Sequence, residues 1–502
     1  MSGSSTVLVG LQYGDEGKGR VLDKLLKKDM AEKVVARFGG GPNAGHTVRE
    51  GELELKLHGI PSGVLDPNAI LYIATGSVIN PEKLVTEIED IERIGKQFNR
   101  DLSLKGRLFI SSKATLIQPY QCLFDKINGK ELGTTGNGIG PAYAGKALRM
   151  EGGLVTSLRF GDYLANSRNS KDVALRNLKK VVSNNLGELC DNLDLMEHFL
   201  VKHVLMADSL SQAEMESIDR FDSAVGMLES YLCSDPLFLT KKIKSGINVF
   251  FEGAQATMLD VDHGTYPFIT SSNTVAGAAY VGGDLPPKYH HKTIGVAKAI
   301  MSRVGNGPFA SEFGGEKSEK YCMEDGGKAH TREQELAAYN PQKLLKSEDL
   351  FDLGVGLRML SNEYGATTGR PRRLGMFDLV QLKQACALNG VDELYINKFD
   401  QLSLFGQTNL PGIPLVTGYM LDGKEIDCVP TSADVYRRVT PVVSYLPHLP
   451  EINRLRQYHD LPQPVRNLIS FIEDFVEVKI HGIGVGPERD EFVDTSMRER
   501  GK

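Results

Sequence analysis

A chain of 502 residues with 58 Lys and Arg against 64 Asp and Glu carries a formal charge of −6, which excludes a global basic field for nucleic acid or an anionic membrane. Its six cysteines (Cys122, Cys190, Cys233, Cys322, Cys386 and Cys428) include no C-x-x-C pair, which argues against a zinc knuckle or disulfide framework and fits a reducing compartment. With no run of about 18 apolar residues and no basic, apolar leader at the N-terminus, the expectation is a soluble, cytoplasmic protein.

Short β-branched runs recur along the chain: "STVLVG" (5–10), "KVVARF" (33–38), "ILYIATG" (70–76), "RLFIS" (107–111), "NVFFEG" (248–253), "TIGVAKAI" (293–300), "ELYIN" (393–397) and "EVKIHGIG" (477–484). Most lack polar alternation, as strands buried on both faces do. Between them lie helical patterns at 20–28, 81–95, 377–388 and 465–475. This alternation predicts an α/β protein around a mainly parallel sheet, with ligands bound at Gly-rich turns after its strands. Residues 171–245 read as a mostly helical peripheral subdomain, and 314–361 as an inserted loop-plus-helix excursion.

"GLQYGDEGKGRVLDKLL" (10–26) follows the first run and leads into a helix. Gly17-Lys18 ends it as a phosphate loop ends, yet Gln12 occupies the leading Gly position and Gly19 the Mg2+-binding hydroxyl position. Polyphosphate would repel the acidic pair Asp15-Glu16, so a cation is expected between Asp15 and the phosphates. Asp15 would then replace the missing hydroxyl as Mg2+ ligand, or serve as a general base.

In "FGGGPNAGHT" (38–47), Gly40, Gly41 and Gly45 allow close backbone approach, Asn43 can bond an amide edge and His46 can exchange a proton. A structural role for His46 is equally open. "GTTGNGIGPAY" (133–143) and "YGATTGRPRR" (364–373) combine hydroxyls and Gly suited to oxyanions, and the second adds Arg370, Arg372 and Arg373. A solvated charged turn is the alternative. "FEGAQATMLDVDHGTYP" (251–267) presents Gln255 after a buried strand; its Asp260-x-Asp262-His263 string has no second ligand set and suggests loop bracing. "NKFD" (397–400) has the Asn-Lys-x-Asp pattern whose Asp accepts both N1–H and N2–H of guanine.

"QYGDEGKG", "GPNAGHT", "GTTGNGIGPAY", "FEGAQATMLDVDHGTYPFITSSNT", "SRVGNGPF" and "GATTGR", in this order, closely resemble the adenylosuccinate synthetase family. The resemblance implies one such domain over 1–502, similar in fold to P-loop GTP-binding proteins, interrupted by a family-atypical insertion at 314–361. It implies a homodimer that ligates IMP and L-aspartate, with GTP and Mg2+, through 6-phosphoryl-IMP in de novo AMP biosynthesis.

Asp15, His46 and Gln255 would then be catalytic, and Asp15 with the Gly45 carbonyl would hold Mg2+. GTP would meet Gly14 through Arg20 (Gly14, Asp15, Glu16, Gly17, Lys18, Gly19, Arg20), then Gly45, His46, Thr47 and Arg372. Its base would lie against Lys398, Phe399, Asp400, Gly484, Val485 and Gly486. IMP would meet Asp15 to Lys18, Asn43, Ala44, Gly45, His46, Thr135, Gln255, Thr270 and Arg370, with Arg149 reaching it from the other subunit. Aspartate would bind the loop of Ala366, Thr367, Thr368, Gly369, Arg370, Pro371 and Arg372. The chain departs from the family pattern at Arg20, Asn137, Pro371 and Gly484. Two other readings are the same chemistry on another purine nucleotide such as (d)GMP, and a GTP-binding regulatory protein without ligase activity. Retention of Asp15 favours IMP.

Overall fold

Apolar residues at successive positions of a strand point to opposite faces, so an unbroken apolar run needs cover on both sides. In the first strand, Val7 and Val9 enter one core and Leu8 the other; in the second, Val34 and Ala36 face the first core and Val35 the second. The computed structural model describes residues 2–28, 30–129, 134–151, 153–166, 170–177, 212–323, 330–365 and 369–496.

The strands of the central sheet are β1 (Ser5–Gly10), β2 (Lys33–Arg37), β3 (Ala69–Ile73), β4 (Leu108–Ser111), β5 (Leu232–Cys233), β6 (Asn248–Glu252), β7 (His290–Lys298), β8 (Glu393–Asn397), β9 (Ile480–Gly484) and β10 (Phe492–Asp494). Their spatial order is β5-β4-β3-β2-β6-β1-β7-β8-β9-β10. Every neighbouring pair is parallel except β9–β10. The chain leaves β1 towards β2, returns through β6, and crosses to β7 on the other side. That reversal opens a crevice beyond the carboxyl ends of β1, β6 and β7, where open α/β sheets bind ligands.

The expected mainly parallel sheet is therefore present, with β1 and β8 at their expected limits. The expected 477–484 strand begins only at Ile480, because Glu477 (φ 61°) closes the preceding helix in the left-handed conformation. Helices follow the predicted periodicity closely: α1 (Lys18–Lys27), α2 (Pro81–Gln97), α3 (Leu379–Asn389) and α4 (Gln463–Val476). Asn80 and Asp378 cap α2 and α3 by accepting from Lys83 N (3.1 Å) and Gln381 N (3.0 Å). A hairpin over His46–Glu50 and Leu53–Leu57, and a mixed, mainly antiparallel sheet built on Ile413–Leu421, were not anticipated.

Of the expected helical span 171–245, residues 178–211 lie outside the described residues. The remainder includes helices Gln212–Met227 and Phe238–Lys244, but also β5 at the edge of the central sheet. The 314–361 excursion contains helices Gly315–Cys322, Arg332–Ala338, Pro341–Leu344 and Leu350–Ser361. Leu350–Ser361 anchors it: Leu353 and Leu357 join the main core, while Phe351, Val355 and Met359 pack locally with Tyr321 and Tyr339.

Candidate active site

The loop between β1 and α1 turns on three left-handed residues, Gly14 (φ 93°), Asp15 (φ 59°) and Gly17 (φ 84°). Its two acids, expected to face a ligand together, point in different directions. Glu16 turns inward, accepting from Gln12 N (3.2 Å) and Gly14 N (2.8 Å), and pairs with Lys18 Nζ at 3.0 Å. Lys18 also donates to the Gln255 carbonyl (2.6 Å), so its ammonium is shared between this loop and the segment after β6. Asp15 stays exposed and meets Arg372 Nη2 through Oδ2 at 2.7 Å. Gly19 passes close under the neighbouring hairpin: a Cβ there would lie 2.8 Å from Ser62 Oγ and 3.3 Å from His46 Cβ.

His46 begins the hairpin and is buried, with Nδ1 2.6 Å from Glu252 Oε1 at the end of β6. Ser62 backs the pair, donating both its N–H (2.8 Å) and its hydroxyl to Glu252. Burial lowers the His46 pKa, and the Glu252 carboxylate opposes that shift without cancelling it. Burial pushes Glu252 up, but His46, Arg37 and Ser62 outweigh it and leave its pKa at about 2. The resting pair is therefore a carboxylate beside a neutral imidazole whose Nδ1–H it accepts, leaving Nε2 for the cleft.

Gln255 (φ 59°) follows β6 and donates from Nε2 to the Asn43 carbonyl at 3.2 Å. These segments wall a cleft of 1190 Å³ whose lining includes Gly14, Asp15, Lys18, Asn43, Ala44, Gly45, His46, Thr135, Gln255, Thr270, Arg370 and Arg372. Thr135 accepts from Asn137 Nδ2 at 2.9 Å, and Asn137 also accepts from Lys83. Asp260 proves to be a brace: it is buried and accepts from the backbone N–H groups of Asp262, His263, Thr274 and Val275. Among the described residues no group of three His, Cys, Asp or Glu could hold a metal ion.

The guanine-pattern turn lies beside the phosphate loop and is stitched to it. Asn397 donates from Nδ2 to the Glu16 carbonyl at 2.6 Å. Phe399 is fully buried, and its N–H donates to the Gly484 carbonyl (2.9 Å), while Val485 N–H donates to the Glu491 carbonyl (2.8 Å). Phe399 and Val485 therefore shape the wall, because their side chains are in the core and their N–H groups are taken. Arg20 reaches the same wall, donating to the Glu488 carbonyl (2.7 Å and 3.1 Å) and the Glu491 carbonyl (2.9 Å), and covers the Phe492 ring at 4.1 Å. Burial raises the pKa of Asp400, and Gln401, which donates to it at 2.9 Å, opposes that rise. Gly486 follows on this segment, and Thr47 on the His46 strand; neither lines the cleft.

One residue outside every expected set organises this edge. Glu363 is fully buried and binds three cations: Lys298 (3.1 Å), Arg372 Nη1 (2.8 Å) and Lys398, which also donates to the Ser361 carbonyl (3.0 Å). Burial alone would raise Glu363, yet these cations hold its carboxyl well below the usual range. Arg372 thereby links Glu363 to Asp15, and its buried Nε has no hydrogen-bond partner. Sequence reasoning missed Glu252, Ser62, Lys298 and Glu363. The available signal was charge in the wrong place: Lys298 sits inside "TIGVAKAI" and Glu252 closes "NVFFE", runs otherwise fit for a buried strand.

The loop carrying Arg370 and Arg372 is a short hairpin. Tyr364 bridges Pro371, Gly365 N–H donates to the Arg370 carbonyl (2.8 Å), and Arg372 N–H donates to the Glu363 carbonyl (3.0 Å). Gly369 (φ 66°) makes its turn, and Ala366, Thr367 and Thr368 lie outside the described residues. Arg149 is apart from all of this. It is exposed, with φ 66°, at the end of helix Ile139–Leu148, and does not line the cleft.

Fold and site together define a class: an α/β nucleotide-binding protein with a phosphate-type loop after its first strand, a guanine-pattern turn beside it, and arginines on the same edge. The adenylosuccinate synthetase family model matches residues 7–493. "Adenylosuccinate synthetase 2" of Cupriavidus pinatubonensis is 40% identical over 488 residues, covering 97% of this chain and 96% of that one. The structure of fully ligated adenylosuccinate synthetase from Plasmodium falciparum superposes with a TM-score of 0.73 at 28% identity, covering 98% and 100% of the two chains. Cyanophage S-2L succinoaminodeoxyadenylate synthetase, solved with dGMP and with dATP as energy donor, shares the fold at TM-score 0.55 and 17% identity. The chain belongs to the adenylosuccinate synthetase family, ligases of purine biosynthesis that join IMP to aspartate using GTP.

Proposed function

We propose that this cleft carries out the family's ligation with Asp15 as the base and His46 as the stabilising donor. The observation that carries this reading is the convergence of Asp15, Asn43, Gly45, His46, Thr135, Gln255, Thr270, Arg370 and Arg372 on one cleft from distant parts of the chain. Asp15 takes the N1 proton of IMP, and the electron pair released makes O6 nucleophilic. O6 attacks the γ-phosphorus of GTP and GDP leaves. The aspartate amine then attacks C6, and the O6-bearing phosphate departs. His46, once protonated, donates from Nε2 to the charge developing on O6 and the transferring group. Glu252 stabilises the imidazolium state through Nδ1.

Asn43 and Gln255 present amide groups to the IMP side, with Thr135, Thr270 and Arg370 available to its sugar and phosphate. Arg370 and Arg372 both serve aspartate, Arg372 also meets GTP, and its unpartnered Nε supports a further anionic contact there. Asp400 accepts from guanine, with Lys398 and Gly484 to Gly486 flanking the base. The backbone of Gly14 to Arg20, with Lys18 and Thr47, serves the phosphates.

The residues present fit Mg2+: Asp15 Oδ1 lies 3.7 Å from the Cβ position of Gly45, beside an exposed backbone turn. A single carboxylate with phosphate and water oxygens is the usual hard-donor set for this ion. Asp15 and the Gly45 carbonyl would hold it, and it would supply charge neutralisation at the phosphates.

A homodimer is the further part of this reading. Exposed apolar residues Leu148 (51%), Met150 (56%) and Val155 (41%) surround Arg149, which supports a partner surface from which Arg149 reaches the other subunit's IMP. Mixing inactive Arg149→Leu with inactive Asp15→Asn would restore activity in hybrid dimers. No recovery after demonstrated subunit exchange contradicts the shared site. No helix among the described residues is long and apolar enough to cross a membrane, and a cytoplasmic location is part of the proposal.

The direct test is product analysis with GTP, Mg2+, aspartate and a panel of IMP, GMP and their deoxy forms. Adenylosuccinate from IMP is expected. Asp15→Asn should remain folded and lose about 10³-fold or more in turnover. Near-normal turnover in that variant, or preference for GMP in the wild type, would refute the assignment.

A further inference from the structure

Helix Arg332–Ala338 opens with Thr331 and Gln334 in a reciprocal capping box, with Thr331 accepting from Gln334 N and Gln334 Oε1 from Thr331 N. It then breaks the usual rule for a packed helix. Six of its seven residues are exposed, and the one that is buried is not apolar but Glu335. Amphipathic helices dock through an apolar stripe; this one docks through a carboxylate.

Glu335 meets a partner matched to it in burial and geometry. Arg358, on helix Leu350–Ser361, donates to it from Nη2 (2.5 Å) and Nε (3.1 Å), and both side chains are 1% exposed or less. This fork-to-carboxylate arrangement fixes the relative orientation of the two groups. Neither residue stops there. Tyr364 OH donates to Glu335 Oε2 (2.6 Å), and Arg358 Nη1 donates to the Arg372 carbonyl (3.1 Å). Tyr364 and Arg372 stand on the two strands of the hairpin whose Tyr364–Pro371 bridge closes the 365–370 loop. The pair therefore grips both strands of the stem that presents Arg370 and Arg372 to the cleft. Arg358 also bonds Cys322 Sγ (3.6 Å) and covers the Tyr321 ring at 5.6 Å, which fixes its guanidinium from behind.

We propose that Glu335 is a positioning residue for the substrate carboxylates bound by Arg370 and Arg372, acting through Arg358 and Tyr364. The excursion over 314–361 thus works as a clamp on the aspartate-binding hairpin. This inference rests on the reading of that hairpin as the aspartate site. Glu335 touches no substrate. It holds the stem in register, so a loosened stem misplaces two arginines that must fork onto carboxylates. IMP and GTP keep supports outside the hairpin, through Glu252 and Asn397, whereas aspartate is held by both arginines, so loosening should fall most on aspartate.

Full-length Glu335→Gln, which keeps size and hydrogen-bonding capacity, and Tyr364→Phe, which removes one hydroxyl, are compared with wild type. Initial rates are measured against aspartate, IMP and GTP in turn, with thermal unfolding as a control. The expected result is a KM for aspartate raised about tenfold in Glu335→Gln and by less in Tyr364→Phe, with KM for IMP and GTP within about twofold. Glu335→Asp, which keeps the charge, should recover part of the loss. Unchanged KM for aspartate in folded variants, or a fall in kcat with every KM unaltered, would overturn the clamp. If Glu335→Gln does not fold, Tyr364→Phe alone decides between these outcomes. Failure of the wild type to use aspartate at all would instead remove the reading of the hairpin on which the clamp rests.

Discussion

Two buried carboxylates serve the cleft in opposite ways. Glu252, at the end of β6, faces a titratable partner, His46, while Glu363 is surrounded by Lys298, Lys398 and Arg372. Both are fully buried and both are held anionic against the cost of burial. The difference lies in what the charge does next. Glu363 is ringed by three cations and no imidazole, so it acts as a fixed counter-charge tying the Lys398 turn to the Asp15 side. Glu252 sits on an imidazole and biases where a proton resides. One end of the site is therefore built for geometry and the other for proton traffic.

Removing the fixed counter-charge should have the largest effect. Glu363→Gln leaves three buried or half-buried cations facing one another, and breaking a buried pair from one side costs about 3–5 kcal/mol. Urea unfolding should show a loss in that range, together with loss of turnover. A loss under about 1 kcal/mol would mean that the cations find other partners and that Glu363 is no hub.

At the other end the penalty should be catalytic and dependent on pH. Glu252→Gln removes the anion that opposes the burial shift of His46, so the His46 pKa falls further, to the level that burial sets unopposed. Turnover should drop by about 10²-fold, and the pH range requiring protonated His46 should move to lower pH. An unmoved pH profile would contradict the pairing. In stability the sign is that of a depressed carboxyl: Glu252 contributes above its ordinary value of 4.5, and the contribution disappears as pH falls through about 2. Acid unfolding of the wild type should therefore sharpen across that window, and less so in Glu252→Gln.

The smallest change concerns choice of donor. On the proposed reading Asp400 would accept from two guanine donors, so wild type should prefer GTP over ATP by about 10²-fold or more. Asp400→Asn should shift preference towards xanthosine triphosphate, whose C2 carbonyl can accept from the new amide. A donor comparison at fixed IMP and aspartate measures this, and an unchanged ranking would reduce "NKFD" to a strand end.

Much of this was legible in the sequence because the sheet strands are buried on both faces and their loops carry Gly, hydroxyl and charge in fixed order. The strand ending in Gly10 and the presence of a helix after the Gly17-Lys18 turn follow from local pattern alone. Glu363 was not legible, since its meaning comes from three cations 9, 35 and 65 positions away. The inward turn of Glu16 was hidden for a similar reason. Left-handed Gly14 and Asp15 curl the loop so that its own N–H groups reach that carboxylate, and composition does not report such a curl. The antiparallel strands after Ile413 escaped because Thr440–Leu446 is half-exposed and starts with Thr-Pro, which weakens the strand pattern.

On the proposed mechanism, IMP O6 becomes the nucleophile towards GTP in this cleft. Ligation run with IMP carrying ¹⁸O at O6, followed by mass spectrometry of the released phosphate, tests it directly. The label should leave with phosphate, because the oxygen bonded to phosphorus is displaced from C6 by the aspartate amine. Adenylosuccinate formed with unlabelled phosphate would contradict it.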